Sequence, residues 1–383
     1  MDYGIFSTTG CCTNRCECRF LRSRYGEDHF PSSISVREYE LCVARSNYRR
    51  RNEVVLRNTR QLLGKTRSEL RDVDLKTDVY GSEVLFDEHD KPYFHCLVNK
   101  NNKDNPVYRD IYPEDVFGVV LGEVTQQACR QTDKRMTTCC FTIPVNTSEN
   151  TRKLMCSEAS KIGLTCVCMI VEPMAAYYAL RSAPQSLCDE ELVMIVNVDE
   201  SSFDVSVICH EYLNPQLICY DSLRERILDE MIDLLMDHVM RKYEERNGSP
   251  LLDPTDKRYT YKRNRLWNGC KDGLHDLSYK EHVVISLDGI ADLYDGDDDI
   301  VIAITRQQHE HIIRPILSKL GSFWRQTIMK ANIKSESIKH VFLTGGGADI
   351  PSIYHLFDGY NILHQDYSNA YGCYQYLINQ SHR

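Results

Sequence analysis

No export signal is expected from the start of the sequence, since Met1-Asp2-Tyr3-Gly4-Ile5-Phe6 has no basic start leading into a long apolar run. The sequence also lacks any uncharged apolar stretch long enough to cross a bilayer. Both absences predict a cytoplasmic protein without membrane contact. A basic excess is missing too. Lys plus Arg number 46 against 55 Asp plus Glu, a formal net charge of −9. The basic face that nucleic-acid phosphates require is therefore not expected, although nucleotides can still be held locally by amides and a metal. What is plentiful is cysteine, with 17 residues. An odd total without an export signal predicts reduced thiols packed as small hydrophobes, not a disulfide framework. Cys12, Cys16 and Cys18 have no second ligand pair at zinc-site spacing. A hairpin with packed cysteines is expected there, and no metal is assigned.

At 383 residues, with 42% hydrophobic and 26% charged, the chain suits two folded lobes. Pro113-Glu114-Asp115-Val116 opens a helix, with Pro early and acids in the first turn. Val116, Val119, Val120, Val124 and Ala128 continue it at helical spacing. Cys139–Ile143 reads as a buried strand. A helix follows from about Ser148, with Leu154, Ala159 and Ile162 inward and Gly163 as its stop. Val167–Val171 is the next strand, and Met174–Leu180 starts another helix. The basic segment Asn52–Leu70 reads as helix or loop. After a polar boundary at Arg181–Glu190, the pattern restarts with strands Leu192–Val198, Phe203–Cys209 and Gln216–Tyr220. A long helix is lined by Leu223, Ile227, Met231, Leu234 and Met236. Asp256–Arg265 is rich in Lys, Arg and Tyr. A later helix begins near Gln307, and strand Lys339–Leu343 runs into Gly345-Gly346-Gly347. The repeated order of strands, helix, strand and helix points to an internal duplication.

Several segments, in order, resemble the ATPase domain of the 70 kDa heat-shock chaperone family. Tyr3-Gly4-Ile5-Phe6-Ser7-Thr8-Thr9 resembles its first phosphate hairpin, and Arg60-Gln61-Leu62-Leu63-Gly64-Lys65 its basic segment. Thr142-Ile143-Pro144, Arg152, Glu172-Pro173-Met174-Ala175-Ala176 and Ser202-Phe203-Asp204-Val205-Ser206 follow. Ile304-Thr305-Arg306, Val341–Pro351, Asp366 and Ala370-Tyr371-Gly372 complete the series. The resemblance implies an α/β, actin-like ATPase fold of two duplicated ribonuclease-H-like lobes flanking a nucleotide cleft. It implies lobe I at 1–185, with 361–383 returning to it and an outer subdomain near 38–111. Lobe II is expected at 186–360, with an outer subdomain near 227–313. The chain stops where that ATPase domain stops, so no peptide-binding domain is expected.

By resemblance, the site residues are Glu172, Asp204, Arg60 and Thr8 for catalysis. Thr9, Ser202, Gly345, Gly346, Gly347, Ser278 and Asp366 would hold ATP or ADP with Mg²⁺. The family's first hairpin reads Gly-Ile-Asp-Leu-Gly-Thr-Thr. Here one residue is missing, the Asp is lost and Ser7 replaces the turn Gly. The second hairpin, Asp-Leu-Gly-Gly-Gly-Thr-Phe-Asp in the family, becomes Asn197-Val198-Asp199-Glu200-Ser201-Ser202-Phe203-Asp204. Two carboxylates thus stand where phosphate belongs, and like charges 4 Å apart repel by ~4 kcal/mol at intermediate dielectric. The catalytic Lys aligns with Arg60, and a glycine pair with Arg224-Glu225. A Lys-Arg pair aligns with Leu274-His275, and an adenine-stacking Arg with Asp349. Pro144, Arg152 and Glu172 match a family proline switch, but a helix–strand packing contact accounts for them without one. Nucleotide binding is therefore expected to be weakened.

Two functions follow. One is a pseudo-ATPase with a regulatory role, engaging nucleotide-exchange factors or J-domain co-chaperones. The alternative is an active ATP-hydrolysing chaperone-family protein. Asp295-Gly296-Asp297-Asp298-Asp299 starts like a calcium loop, but Ile300 stands where Gly is needed and Arg306 where Glu is needed. It reads as a solvated acidic turn. His309 and His311 read as surface or rim residues. Asn146-Thr147-Ser148 and Asn247-Gly248-Ser249 fit the glycosylation pattern, which a cytosolic chain does not use.

Overall fold

The computed structural model describes residues 1–3, 7–14, 17–37, 40–44, 54–71, 73, 75–76, 80–98, 106–181, 187–199, 202–211, 214–290, 301–365 and 368–381. The candidate calcium loop falls outside them. The chain divides into two compact units, Met1–Ser186 with Tyr367–Arg383, and Leu187–Asp366.

In the first unit, β1 (Asp2–Tyr3) and β2 (Ser7–Thr9) pair antiparallel. β3 (Cys11–Asn14) and β4 (Glu17–Phe20) form the expected cysteine hairpin. β5 (Phe30–Pro31) returns beside β2. β6 (Ile34–Val36) lies between β7 (Leu41–Val43) and β8 (Val54–Leu56), and β9 (Glu83–Phe86), β10 (Pro92–Leu97) and β11 (Tyr108–Ile111) form a second small sheet. β12 (Thr138–Ile143) and β13 (Thr165–Val171) join β1 in parallel, giving the order β13-β12-β1-β2-β5.

The helix Pro113–Thr132 forms as its periodicity predicts. Asp115 accepts from the Tyr112 amide at 2.9 Å, while Val116, Val120, Val124 and Ala128 are buried and Val119 half-buried. Helix Glu149–Lys161 is capped by Ser148, whose hydroxyl accepts from the Thr151 amide at 3.1 Å. It buries Met155 and Ala159, and leaves Leu154 half-buried. Ile162 is a correction: it is 40% exposed, because the helix stops at Lys161 and the chain turns at Gly163, φ 81°. Asn52–Leu70 is also corrected. It contains strand β8, where Val54 and Leu56 are buried, and two short 3-10 turns, Thr59–Gln61 and Arg67–Leu70. The alternation of β-branched and apolar residues outweighs the basic flank.

In the second unit, β14 (Glu191–Asp199), β15 (Ser202–His210) and β16 (Gln216–Leu223) form an antiparallel meander. After β17 (His282–Ser286) and β18 (Val301–Thr305), which pair with each other, β19 (Ile338–Thr344) joins β14 in parallel, and β20 (Asn361–His364) joins β19. The order β20-β19-β14-β15-β16 repeats that of the first unit's sheet, strand for strand. β20 belongs here, so the expected return to the first lobe at 361 comes later in the chain.

Leu223 ends β16 instead of starting the helix, which runs Ile227–Asn247 and buries Ile227, Met231, Leu235 and Met236. The basic-aromatic stretch leads into helix Tyr259–Tyr279, where buried Lys262 is paired with Asp256 at 2.9 Å. His309 is a further correction. It lies in the short helix Arg306–Ile312 and is 2% exposed. It shares the inward stripe with Ile313, a spacing that two turns of helix cannot advertise in sequence. Burial pushes its imidazole down to about 4, so it is held neutral. His311 is exposed, as expected. Among the described residues no helix is long and apolar enough to cross a membrane.

Candidate functional site

Each unit carries part of the predicted residue set. In the first, Thr8 and Thr9 lie on β2, between β1 and β5, where register pairs Thr8 with Tyr3 and with Phe30. Thr8 is fully buried, and its hydroxyl lies 2.8 Å from that of Ser32. It is an internal strand hydroxyl. The Thr9 hydroxyl is buried and makes no hydrogen bond among the described residues.

Arg60 stands in the 3-10 turn Thr59–Gln61, entered through Asn58 at φ 59°. The N-terminus of helix Glu149–Lys161 clasps this segment. Thr151 donates its hydroxyl to the Leu63 carbonyl at 3.0 Å, and Asn150 its amide to the Gly64 carbonyl at 2.8 Å. The Arg60 guanidinium pairs directly with Glu172, and both side chains are 16% exposed. Glu172 is the first residue of helix Glu172–Arg181, an end that favours a carboxylate. Pro144 and Arg152 meet through Thr147. The Pro144 carbonyl accepts from the Thr147 hydroxyl at 2.7 Å, and Arg152 donates to the Thr147 carbonyl at 3.3 Å. Both bonds are local to the turn between β12 and helix Glu149–Lys161.

In the second unit the β14–β15 hairpin sets Asn197 opposite Asp204. The Asp204 carboxylate accepts from the Ser202 hydroxyl at 2.7 Å, the Tyr220 hydroxyl at 3.0 Å and the Asn197 amide at 3.4 Å. Asn197 in turn accepts from the Thr344 hydroxyl at 3.1 Å. An amide can donate to one neighbour and accept from the other, which a second carboxylate could not do. Asn197 thus closes a hydrogen-bonded chain running from Tyr220 to Thr344. Glu200 and Ser201 lie outside the described residues.

The glycine triplet divides by role. Gly345 has φ 88°, and a Cβ there would sit 2.5 Å from the Val198 carbonyl oxygen and 2.6 Å from the Asn197 amide oxygen. Gly347 donates to the Val198 carbonyl at 2.9 Å, and a Cβ there would meet Val198 Cγ1 at 2.5 Å. Gly346 faces open space. Gly345→Ala is therefore expected to cost about 2–4 kcal/mol, combining backbone strain with a clash. Gly346→Ala should stay within about 0.5 kcal/mol of wild type. Urea unfolding of the two variants checks the contrast.

Of the remaining candidates, Ser278 is half-buried and its carbonyl accepts from Arg306 at 3.4 Å. Leu274 is buried in the core, and His275 is exposed. Asp349 accepts from the Tyr279 hydroxyl at 2.9 Å and lies 3.6 Å from His364. Glu225 is paired with Lys319, and neighbouring Arg226 with Asp229. Asp366 lies outside the described residues. Sequence reasoning missed Ser32, Tyr220 and Thr344. Tyr220 sits diagonally from Asp204 across β15–β16, a neighbour visible only once register is known.

The Hsp70 protein family model matches residues 2–361 of this chain. A heat shock protein 70 homolog of Schizosaccharomyces pombe is 23% identical over 343 residues, covering 88% of this chain and 58% of that protein. A heat shock cognate HSP70 protein of Trypanosoma brucei brucei is 25% identical over 271 residues, 68% of this chain and 39% of its own length. The chain spans less than two thirds of either relative. With the resemblance spread over most of its length and the two sheets sharing one strand order, this chain belongs to the Hsp70 family and has the actin-like ATPase fold.

Proposed function

We propose that this chain is a degenerate Hsp70-family nucleotide-binding unit, impaired in binding and hydrolysing Mg-ATP. Its role is regulatory, through co-chaperone contacts of the nucleotide-exchange-factor or J-domain kind. The observation that carries the reading is the direct ion pair of Arg60 with Glu172. One retained cation and one retained carboxylate neutralise each other, so a phosphate or a hydrated Mg²⁺ must first break a largely buried pair. The other retained carboxylate, Asp204, is already taken by three side-chain donors, and Thr8 is turned to Ser32. These side chains do not fit a magnesium nucleotide. Phosphate transfer needs preorganised positive charge and a held metal, so no hydrolytic step is assigned.

A thermal-shift titration with Mg-ATP and Mg-ADP tests this. A ligand that binds the folded state raises stability by ~2.7 kcal/mol at a hundredfold excess over Kd. The expected result is no shift at millimolar nucleotide. A robust shift with phosphate release would establish the active ATPase instead, using Glu172, Asp204, Arg60 and Thr8.

A further inference from the structure

Strands β12 and β13 carry two cysteines each, and a register shift lies between Cys139 and Cys140. Cys139 pairs with Cys166, whereas Cys140 pairs with Cys168. Cys139 and Cys166 pack toward the first unit's core beside Phe141 and Met169. Cys140 turns the other way, toward helix Ser368–Ser381. There its sulfur lies 2.7 Å from Cys168 Sγ and 2.9 Å from Cys373 Sγ. Cys140 thus contacts both of the other thiols. Cys168 is half-buried, while Cys140 and Cys373 are buried at 5% and 2% exposure.

We propose that Cys168, Cys140 and Cys373 form a thiol relay that takes a two-electron oxidant of the peroxide class and passes a disulfide inward. The Cys168 thiolate attacks one peroxide oxygen, becomes a sulfenic acid and releases hydroxide or alkoxide. Cys140 sulfur then attacks the Cys168 sulfur. Its proton leaves with the hydroxyl as water, and the Cys140–Cys168 disulfide remains. The Cys373 thiolate next attacks Cys140 sulfur, forms Cys140–Cys373 and expels the Cys168 thiolate. Two thiols have lost two electrons, and one peroxide bond has gained them. Neighbouring parallel strands about 4.8 Å apart lie within the Cα separation a disulfide accepts.

The acidities run in the same sense. Contact with the Cys140 thiol pulls Cys168 below the ordinary thiol value and Cys373 to about 7, because a thiol that shares its proton stabilises the neighbouring thiolate. Those same contacts push Cys140 up, so it stays protonated until a neighbour takes the oxidant. The end product bonds β12 covalently to helix Ser368–Ser381.

The test exposes purified protein to graded hydrogen peroxide, traps free thiols and maps linked peptides without reduction. Cys140–Cys168 should appear first and Cys140–Cys373 later, each with the loss of two hydrogens. Cys168→Ser should slow formation of Cys140–Cys373 by about tenfold or more, and Cys373→Ser should halt the sequence at Cys140–Cys168. Unchanged Cys140–Cys373 kinetics in C168S overturn the relay. So does wild-type protein in which exposed Cys188 is fully oxidised while the three thiols stay reduced, a result that needs no variant to fold.

Discussion

Gly372→Ala should destabilise the protein by about 3 kcal/mol, against the ~1 kcal/mol gain that helix propensity alone would give. The sign follows from one close approach. Gly372 lies in helix Ser368–Ser381, which packs on helix Glu172–Arg181. A Cβ at Gly372 would sit 1.7 Å from the Ala175 carbonyl oxygen and 3.0 Å from the Ala179 amide nitrogen. Both obstacles are backbone, so no side chain can swing away. Ala175, Ala176 and Ala179 are all buried, and Tyr178 meets Tyr376 edge-on at 5.1 Å beside the notch. The helices must separate to admit a methyl group, and every contact along the seam loosens with them. Gly372→Val should lose more, about 4 kcal/mol or beyond. Urea unfolding measures both. A stabilised Gly372→Ala protein would mean that the helices do not meet through this glycine.

The second large effect concerns the Arg60–Glu172 pair. Arg60→Met removes the cation paired with the Glu172 carboxylate, and Glu172→Gln removes the anion paired with the Arg60 guanidinium, at sites only 16% exposed. Each single change should cost about 3 kcal/mol, because a largely buried charge that loses its counterion keeps its desolvation cost. The double variant should cost less than the sum, giving a coupling energy of about 1–3 kcal/mol in a double-mutant cycle. If Arg60→Met left stability unchanged, Arg60 would be free to meet a phosphate, and the proposed impairment would lose its main support. The cycle needs no nucleotide, so it separates the pair's structural role from binding.

Much of this architecture was readable where a pattern ran long enough. The Val116, Val120, Val124 stripe marks a helix of five turns, and Cys139–Ile143 a strand. Phe203-Asp204-Val205-Ser206 fixes the register of the β14–β15 hairpin. Short elements were not readable. His309 lies in a helix too brief to display its inward face, and Leu223 is one apolar residue that suits a strand end as well as a helix start. The site divides the same way. Arg60, Glu172, Asp204 and Thr8 could be named from motifs, but Ser32 beside Thr8, Tyr220 beside Asp204 and Thr344 beside Asn197 could not. They meet across separations that no local spacing encodes. The facing thiols of β12 and β13 were hidden for the same reason. Two cysteine pairs look alike in sequence, and only the register shift sends them to opposite faces.

The first unit is discontinuous in the chain, and this sets an order of events during synthesis. Residues 1–186 emerge first, and the segment that completes them, from Tyr367 onward, follows only after the whole second unit. At about 5–20 residues per second, that interval is on the order of ten seconds or more. Throughout it, Ala175 and Ala179 wait for Gly372, and Cys140 has Cys168 beside it but no Cys373. A nascent chain that meets an oxidant in that window can form only the outer disulfide of the three thiols, and would complete its fold with the relay already half run.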